Sequence, residues 1–256
     1  MFMKKIITLI SITLAACLVL GGCTGIDRIS SGAYTEGDID IADEIYKIDI
    51  DWQQGSVMVR GSETAQGISV KENAAEGAKL ATRVIGSVLY IKAAAPGKEA
   101  GEKTLMVTVP ADYNYKEIEI RTDSANAGLR SLKASRADIK TESGKISVIG
   151  CVIDDEAELE SVSGNITSES EAADYDIQTV SGSVEITAPT VPEDMDAETV
   201  DGAIIVTLPA DTPAGSVKTK TGGAVVNNLT NKEKGEKYIF TSKTGSIFVL
   251  PEISGK

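Results

Sequence analysis

Residue types able to do covalent chemistry are scarce in this chain, and the first group stands at residues 20–23. Leu20-Gly21-Gly22-Cys23 follows a basic pair, Lys4 and Lys5, and a largely apolar stretch from Ile6 to Leu20. A charged start, an apolar run and small residues before a cleavage point make an export signal. Small residues directly before a cysteine, with leucine three positions ahead of it, form a bacterial lipoprotein box. Its chemistry is a diacylglycerol on the Cys23 thiol, cleavage before Cys23, and acylation of the freed amine with palmitate or a similar chain. An uncleaved anchor and a plain secretory signal are the alternatives, although the run is short for a full span of about 20 apolar residues. The expectation is a cleaved signal over 1–22 and lipidated Cys23 with a flexible tether over 23–37. Residues 24–37 are polar and rich in Gly and Ser, and as a random coil they reach roughly 20 Å. The protein is then held on the extracytoplasmic face of a cell membrane by its lipid.

The second group is carboxylate: Asp154, Asp155 and Glu156; Glu169, Glu171 and Asp174; Glu193, Asp194 and Asp196; and Asp211. Paired acids at a defined separation hydrolyse glycosidic bonds, and oxygen ligands from adjacent segments bind calcium. These acids fall in segments that read as irregular connectors, and none has the Asp-x-Asp-x-Asp-Gly spacing of a calcium loop. The expectation is therefore no catalytic residue, no metal and no cofactor. The acids act as solvated charges that keep a long sheet soluble. A weak calcium edge and a carbohydrate-active β-helix enzyme stay as rivals; convergence of Asp154, Asp155, Glu193 and Asp194 would favour the enzyme.

Composition removes other classes. The 256-residue chain contains no histidine, which excludes Ser-His-Asp and Cys-His nucleophiles and His-ligated metals. A net charge of −13 repels a phosphate backbone, so no nucleic-acid partner is expected. Beyond Cys17 in the signal and Cys23 under lipid only Cys151 remains, too few for an internal disulfide. It stands among Ile149, Val152 and Ile153, as a small buried hydrophobe would.

The elements that position these residues come from a repeat. Six segments share one pattern: DIKTESGKISV, ELESVSGNITS, DIQTVSGSVEI, DAETVDGAIIV, SVKTKTGGAVV and IFTSKTGSIFV. Their glycines are Gly144, Gly164, Gly182, Gly202, Gly222 and Gly245, spaced 20, 18, 20, 20 and 23 residues apart. Five residues before the glycine stand Ile139, Leu159, Ile177, Ala197, Val217 and Phe240, and two after it Ile146, Ile166, Val184, Ile204, Ala224 and Ile247. Alternation with period 2 on both sides means strand, tight turn, strand. The glycine is expected to supply a positive φ. The Thr or Ser three residues before it is expected to form a ladder of hydroxyls.

Earlier copies run from Ile120, with Ala125 in the glycine slot, and from Ile50, with Trp52 in the Thr/Ser slot. Trp52 reads as an end cap, with sugar stacking as its functional alternative. Val84 to Ile91, around Gly86-Ser87, reads as a hairpin. One such unit cannot bury its own apolar face, but stacked units can. The fold expected is all-β: a right-handed parallel β-solenoid of roughly 20-residue coils over 118–256, with a less regular N-terminal β region and cap over 38–117. A two-sheet antiparallel architecture of hairpins is the alternative.

The motifs TVSGSVEI, ESGKISV and KTGSIFV, with a strand-rich leader ending in TLMVTVP, resemble the putative-adhesin β-strand-repeat family of bacterial envelope lipoproteins, a domain of unknown function. The resemblance covers roughly residues 40–250. It implies a parallel β-solenoid at the cell envelope and brings no catalytic motif. Ala125 and the longer interval before Gly245 depart from the pattern.

Outward positions point to partners. Three residues after the glycine the column runs Ser147, Thr167, Glu185, then Ile205, Val225 and Phe248. The last three form an apolar stripe that is either a partner-binding surface or a packing face. The function expected is a non-enzymatic binding or scaffolding module near the membrane, whose partners are the membrane through its lipid and an envelope protein or wall polymer. An envelope-stress sensor acting through a protein partner is the alternative.

Overall fold

The computed structural model describes residues 34–73, 80–93, 103–213, 217–231 and 237–252. The expected signal, Cys23 and most of the expected tether lie outside the described residues. Twenty strands follow one another: β1 (Thr35–Glu36), β2 (Ile39–Ile41), β3 (Lys47–Asp51), β4 (Ser56–Ser62), β5 (Ile68–Asn73), β6 (Leu80–Ile85), β7 (Val88–Ala93), β8 (Thr104–Pro110), β9 (Asn114–Thr122), β10 (Asn126–Arg130), β11 (Lys133–Thr141), β12 (Ile146–Ser161), β13 (Ile166–Thr179), β14 (Val184–Thr187), β15 (Asp194–Thr199), β16 (Ile204–Leu208), β17 (Val217–Thr221), β18 (Val225–Asn227), β19 (Lys237–Ser242) and β20 (Ile247–Pro251). Among the described residues no helix is long and apolar enough to cross a membrane.

The strands curl into a parallel solenoid. Those before each turn form a leading stack in the spatial order β1, β6, β7, β3, β9, β11, β12, β13, β15, β19, β17. Those after it form a trailing stack, β2, β5, β8, β4, β10, β12, β13, β14, β16, β20, β18. β12 and β13 serve both stacks, because each runs through a corner from one coil into the next. All pairings are parallel except those made by β1, β2, β5 and β6 at the N-terminal end. The Gly86 hairpin joins β6 to β7. Thr35–Glu36, inside the stretch read as tether, instead pair with β6, whose edge would otherwise be open.

Like side chains meet in vertical files inside. Ile146, Ile166, Val184, Ile204 and Ile247 are register partners on successive trailing strands. Ile91, Ile50, Ile120, Ile139, Leu159, Ile177, Ala197 and Phe240 do the same on the leading side. Every one of these is at most 1% exposed. Large and small residues compensate along the rod: Ala197 lies beside Phe240, and Ala137 and Ala157 give way to Tyr175, Met195 and Tyr238 in the neighbouring file.

The last two coils depart from chain order. β19 and β20 pack directly on β15 and β16, and β17 and β18 lie outermost. Apolar content explains the inversion. Tyr238, Phe240, Ile247 and Val249 are fully buried, whereas Val217 and Thr219 are half-buried and Val225 is 47% exposed. The richer coil takes the inner position, and the Lys-bearing coil closes the stack with a charged edge that resists further pairing. The terminal copy also slips in register, with Thr221 rather than Thr219 opposite Ser242. Trp52 is likewise no end cap. It is fully buried one coil in, because β7 and β8 cover β3 and β4.

The turn is built differently from expectation. None of Gly144, Gly164, Gly182, Gly202 or Gly245 has a positive φ. A Cβ on Gly164 would lie 1.8 Å from the Gly144 carbonyl oxygen, and one on Gly182 would lie 2.0 Å from that of Gly164. Gly202 and Gly245 repeat the contact at 1.8 Å. Glycine is needed because coil stacks on coil through the backbone. On the coil above Ala125 stands Gly55, at φ 91°, whose carbonyl accepts from Asn126 N at 2.9 Å and whose Cβ position would lie 2.1 Å from Lys103 O. The hydroxyls form no ladder of their own, since coils about 4.8 Å apart hold them beyond bonding range. Several bridge backbones instead: Thr199 Oγ1 accepts from Gly202 N at 3.1 Å and donates to Gly182 O at 3.0 Å. Ser242 does the same with Gly245 N and Gly202 O, both at 2.9 Å.

Candidate functional site

The solenoid presents two outer faces, and the leading one is a lattice of charge. Six residues before the turn residue, Asp49, Glu119, Asp138, Glu158, Asp176 and Asp196 are register partners on six adjacent coils. The file beside it runs Lys47, Glu117, Arg136, Glu156, Asp174 and Asp194. On the other side run Asp51, Arg121, Lys140, Glu160, Gln178 and Glu198. In the glycine alignment the central acid file is the acid that opens four of the repeats.

Cations are threaded through the upper half of this lattice. Lys47 Nζ lies 2.8 Å from both Glu117 and Glu119, and Arg121 also pairs with Glu119. Arg136 bridges Glu156 and Glu158. Lys140 Nζ reaches Glu158 at 2.5 Å, Glu160 at 3.3 Å and Asp138 at 3.6 Å. Lys140 and Glu160 pair across coils as their column implies. Past Glu198 the file continues to Thr241 of the inserted coil, and Lys218 of the outermost coil stands beside Ile239.

Crowded carboxylates under long side chains titrate away from their usual range. Burial raises the pKa of Asp49, Asp51, Asp138, Glu156 and Glu160. Asp174 is raised by burial and then by the neighbouring Asp194 and Glu193. Burial also pushes Glu158 up, but Lys140 and Arg136 outweigh it and hold its pKa down. The raised groups bind protons more readily folded than unfolded. Their stabilisation is complete below the ordinary values of 3.8 for Asp and 4.5 for Glu and is lost as pH rises through the folded values. Glu158 acts oppositely, contributing above 4.5 and losing its contribution as pH falls through its depressed value. With six groups raised and one lowered, the thermal midpoint is expected to be higher at pH 4, near the ordinary carboxylate values, than at pH 7. Calorimetry across that range checks this, and a midpoint that falls steadily on acidification would contradict it.

The connector acids sit on strands and corners, except Asp211, which lies in a turn after β16. Asp154, Asp155 and Glu156 lie within β12, and Glu169, Glu171 and Asp174 within β13, where register shifts absorb the corner. Glu156, Asp174 and Asp194 stack in one file, with Glu193 beside them. Asp154 turns elsewhere and accepts from Asn114 Nδ2 at 2.6 Å. Among the described residues no three such side chains are arranged to hold a metal ion. Cys151 is 2% exposed, and burial raises its thiol pKa.

On the trailing face Ile205 and Phe248 are direct register partners on adjacent coils, both half-buried. Val225 is not in their file. The register slip of the outermost coil places Val225 opposite the inward Ile247 and brings Val226 beside Phe248. The outer file therefore reads Met106, Met58, Gly128, Ser147, Thr167, Glu185, Ile205, Phe248 and Val226.

A family model described as Toastrack DUF4097 matches residues 45–249. None of the curated proteins matches the chain. Solved structures similar to it include a putative cell adhesion protein from Clostridium sporogenes, at 14% identity over 86% of this chain and 100% of that one, with a TM-score of 0.42. A putative adhesin from Bacteroides fragilis is 15% identical over 87% of this chain and 98% of that one, with a TM-score of 0.43. A putative lipid binding protein from Parabacteroides distasonis is 13% identical over 85% of this chain and 97% of that one, with a TM-score of 0.49.

Proposed function

This chain belongs to the Toastrack DUF4097 family, and on that premise we propose that it is a non-enzymatic binding module of the cell envelope, lipid-anchored through Cys23. The solenoid works as a rigid rod, with its interior filled by side chains and its outer files available for contact over several coils. The supporting observation is the apolar end of the trailing outer file. Ile205, Phe248 and Val226 stand side by side where earlier coils carry Ser147, Thr167 and Glu185. The file turns apolar over its last three coils directly after three polar ones, and such a patch is a surface that gains by being covered. The chemistry fits an envelope protein presenting apolar side chains more closely than it fits a wall polymer.

The experiment is crosslinking in intact cells followed by recovery of the chain, comparing wild type with Phe248→Ser. The variant is expected to lose the crosslinked partner while keeping the wild-type unfolding transition. Recovery of the same partner in equal amount would remove this face from the function.

A further inference from the structure

The N-terminal end of the stack carries an apolar tip of its own. β6 and β7 form a hairpin through Gly86-Ser87, with Ile85 opposite Val88 and Val84 opposite Leu89. Leu89 is fully buried and Val88 half-buried, but Val84 and Ile85 on the outer strand are 36% and 41% exposed. Tyr46, 44% exposed, stands beside the turn, since its N–H donates to Ser87 O at 2.8 Å. Its ring lies against Tyr113, with centroids 6.2 Å apart, and Tyr113 meets the buried Tyr115 at 4.8 Å.

No packing contact calls for apolar residues on this tip. Among the described residues β1 covers β6 only at Ala81 and Thr82, so Val84 and Ile85 have no strand on their outer side. A Cβ on Gly86 would meet nothing within 4 Å, so the turn itself stands in open space. Open edge strands ordinarily carry charge, and the other end of this stack does so with the exposed Lys218 and Lys220 of β17. Val84 and Ile85 also point to opposite faces of β6. A flat surface covers one of them; a medium that takes the strand end edge-on covers both.

The point where the chain enters the domain indicates that medium. β1 runs antiparallel to β6 with Thr35 opposite Thr82, so Tyr34 enters on the Ile85 side of that pair. Lys92 Nζ lies 4.2 Å from the centre of the Tyr34 ring, which fixes the entry point. Tyr34 follows Cys23 by eleven residues, which span at most about 40 Å even fully extended. A lipid on Cys23 therefore never lets this tip stray far from the bilayer. Valine and isoleucine gain by leaving water for lipid, and tyrosine favours the boundary, where ring and hydroxyl find different surroundings. We propose that Val84, Ile85 and the Tyr46–Tyr113 pair dock on the bilayer surface. The solenoid then stands on its N-terminal end and turns Ile205, Phe248 and Val226 away from the membrane. This rests on the lipid anchor proposed above and adds to it the orientation of the domain.

The test uses the full chain recovered from cell membranes and reconstituted in phosphatidylcholine vesicles, a surface without net charge. One nitroxide is placed on Ser87→Cys at the turn or on Glu185→Cys, exposed on the trailing face. Cys151 is buried and stays unlabelled. Collisions with oxygen, which concentrates in lipid, and with a nickel chelate, which stays in water, locate each label. The label at 87 is expected in lipid and that at 185 in water. Val84→Ser/Ile85→Ser is expected to lower the docked-to-free ratio at 87 about tenfold or more, as loss of two buried apolar side chains does. Both sites are exposed, so the double variant is expected to melt like wild type. Equal nickel access at 87 and 185 overturns the docking, as does an undiminished lipid signal in the double variant. Shielding of 87 from both relaxants means a protein cover, either a second copy or another chain, and overturns it too. The mass of the N-terminal peptide reads the anchor separately. A chain without acyl groups overturns the Cys23 reading and the docking that rests on it, whereas an acylated chain with site 87 in water overturns the docking alone.

Discussion

Replacing Gly182 with alanine is expected to destabilise the solenoid by about 3 kcal/mol or more, at or above the upper end for overpacked cores. The added methyl would lie 2.0 Å from the backbone carbonyl oxygen of Gly164, and no rotamer change can move that atom. Relief requires prising two coils apart, which also strains the Thr179 hydroxyl bridge to Gly164 O at 3.3 Å. The comparison is Gly128→Ala. There the nearest obstacle is the flexible tip of Met58, Cε at 2.6 Å, and the change is expected to stay within about 1 kcal/mol of wild type. Urea unfolding of both variants provides the measurement. A turn that merely needed conformational freedom would tolerate alanine at Gly182, whose φ is not positive. A small effect there would mean that the coils do not meet backbone to backbone.

Stopping the chain after Asn231 is expected to unravel more than the strands it deletes. The deletion removes β19 and β20 from between their neighbours. β17 pairs with β19 and β18 with β20, so both outer strands lose their ladder partners. The lost burial of Tyr238, Phe240, Ile247 and Val249 amounts to roughly 6–12 kcal/mol gross, counting about 1.5–3 kcal/mol for each side chain. The ends of the remaining files at Ala197, Ile204 and Val206 become open. Hydrogen exchange across residues 217–227 is expected to rise to within about tenfold of an unstructured peptide. In the intact chain the inverted order leaves 217–227 exchanging faster than 237–251, and the opposite ranking would refute it.

The charge lattice shows why parts of the surface stayed unread. Asp138, Glu158, Asp176 and Asp196 each open a repeat, so their common position was available from the glycine alignment alone. Their titration was not, because it depends on which cations thread between coils. Arg136 reaches the next coil's Glu156 and Glu158. The corner acids were misread for a different reason. Their uneven spacing looks like loop, but bulges let one strand turn a corner without leaving the ladder.

Alternation about each glycine was enough to establish strand, turn, strand, and recurrence of the same residue types in the same slots was enough to establish stacking. Both are local properties written into every repeat. Ile146, Ile166, Val184 and Ile204 could be placed in one inward file without coordinates for that reason. Which coil lies on which was decided only in three dimensions. Any coil with matching apolar slots can stack on any other, so burial of Tyr238 and Phe240 outweighed chain order and left Val217, Thr219 and Val225 at the end. The same long-range choice moved Val226 into the place expected for Val225 and put Thr241 beside Glu198.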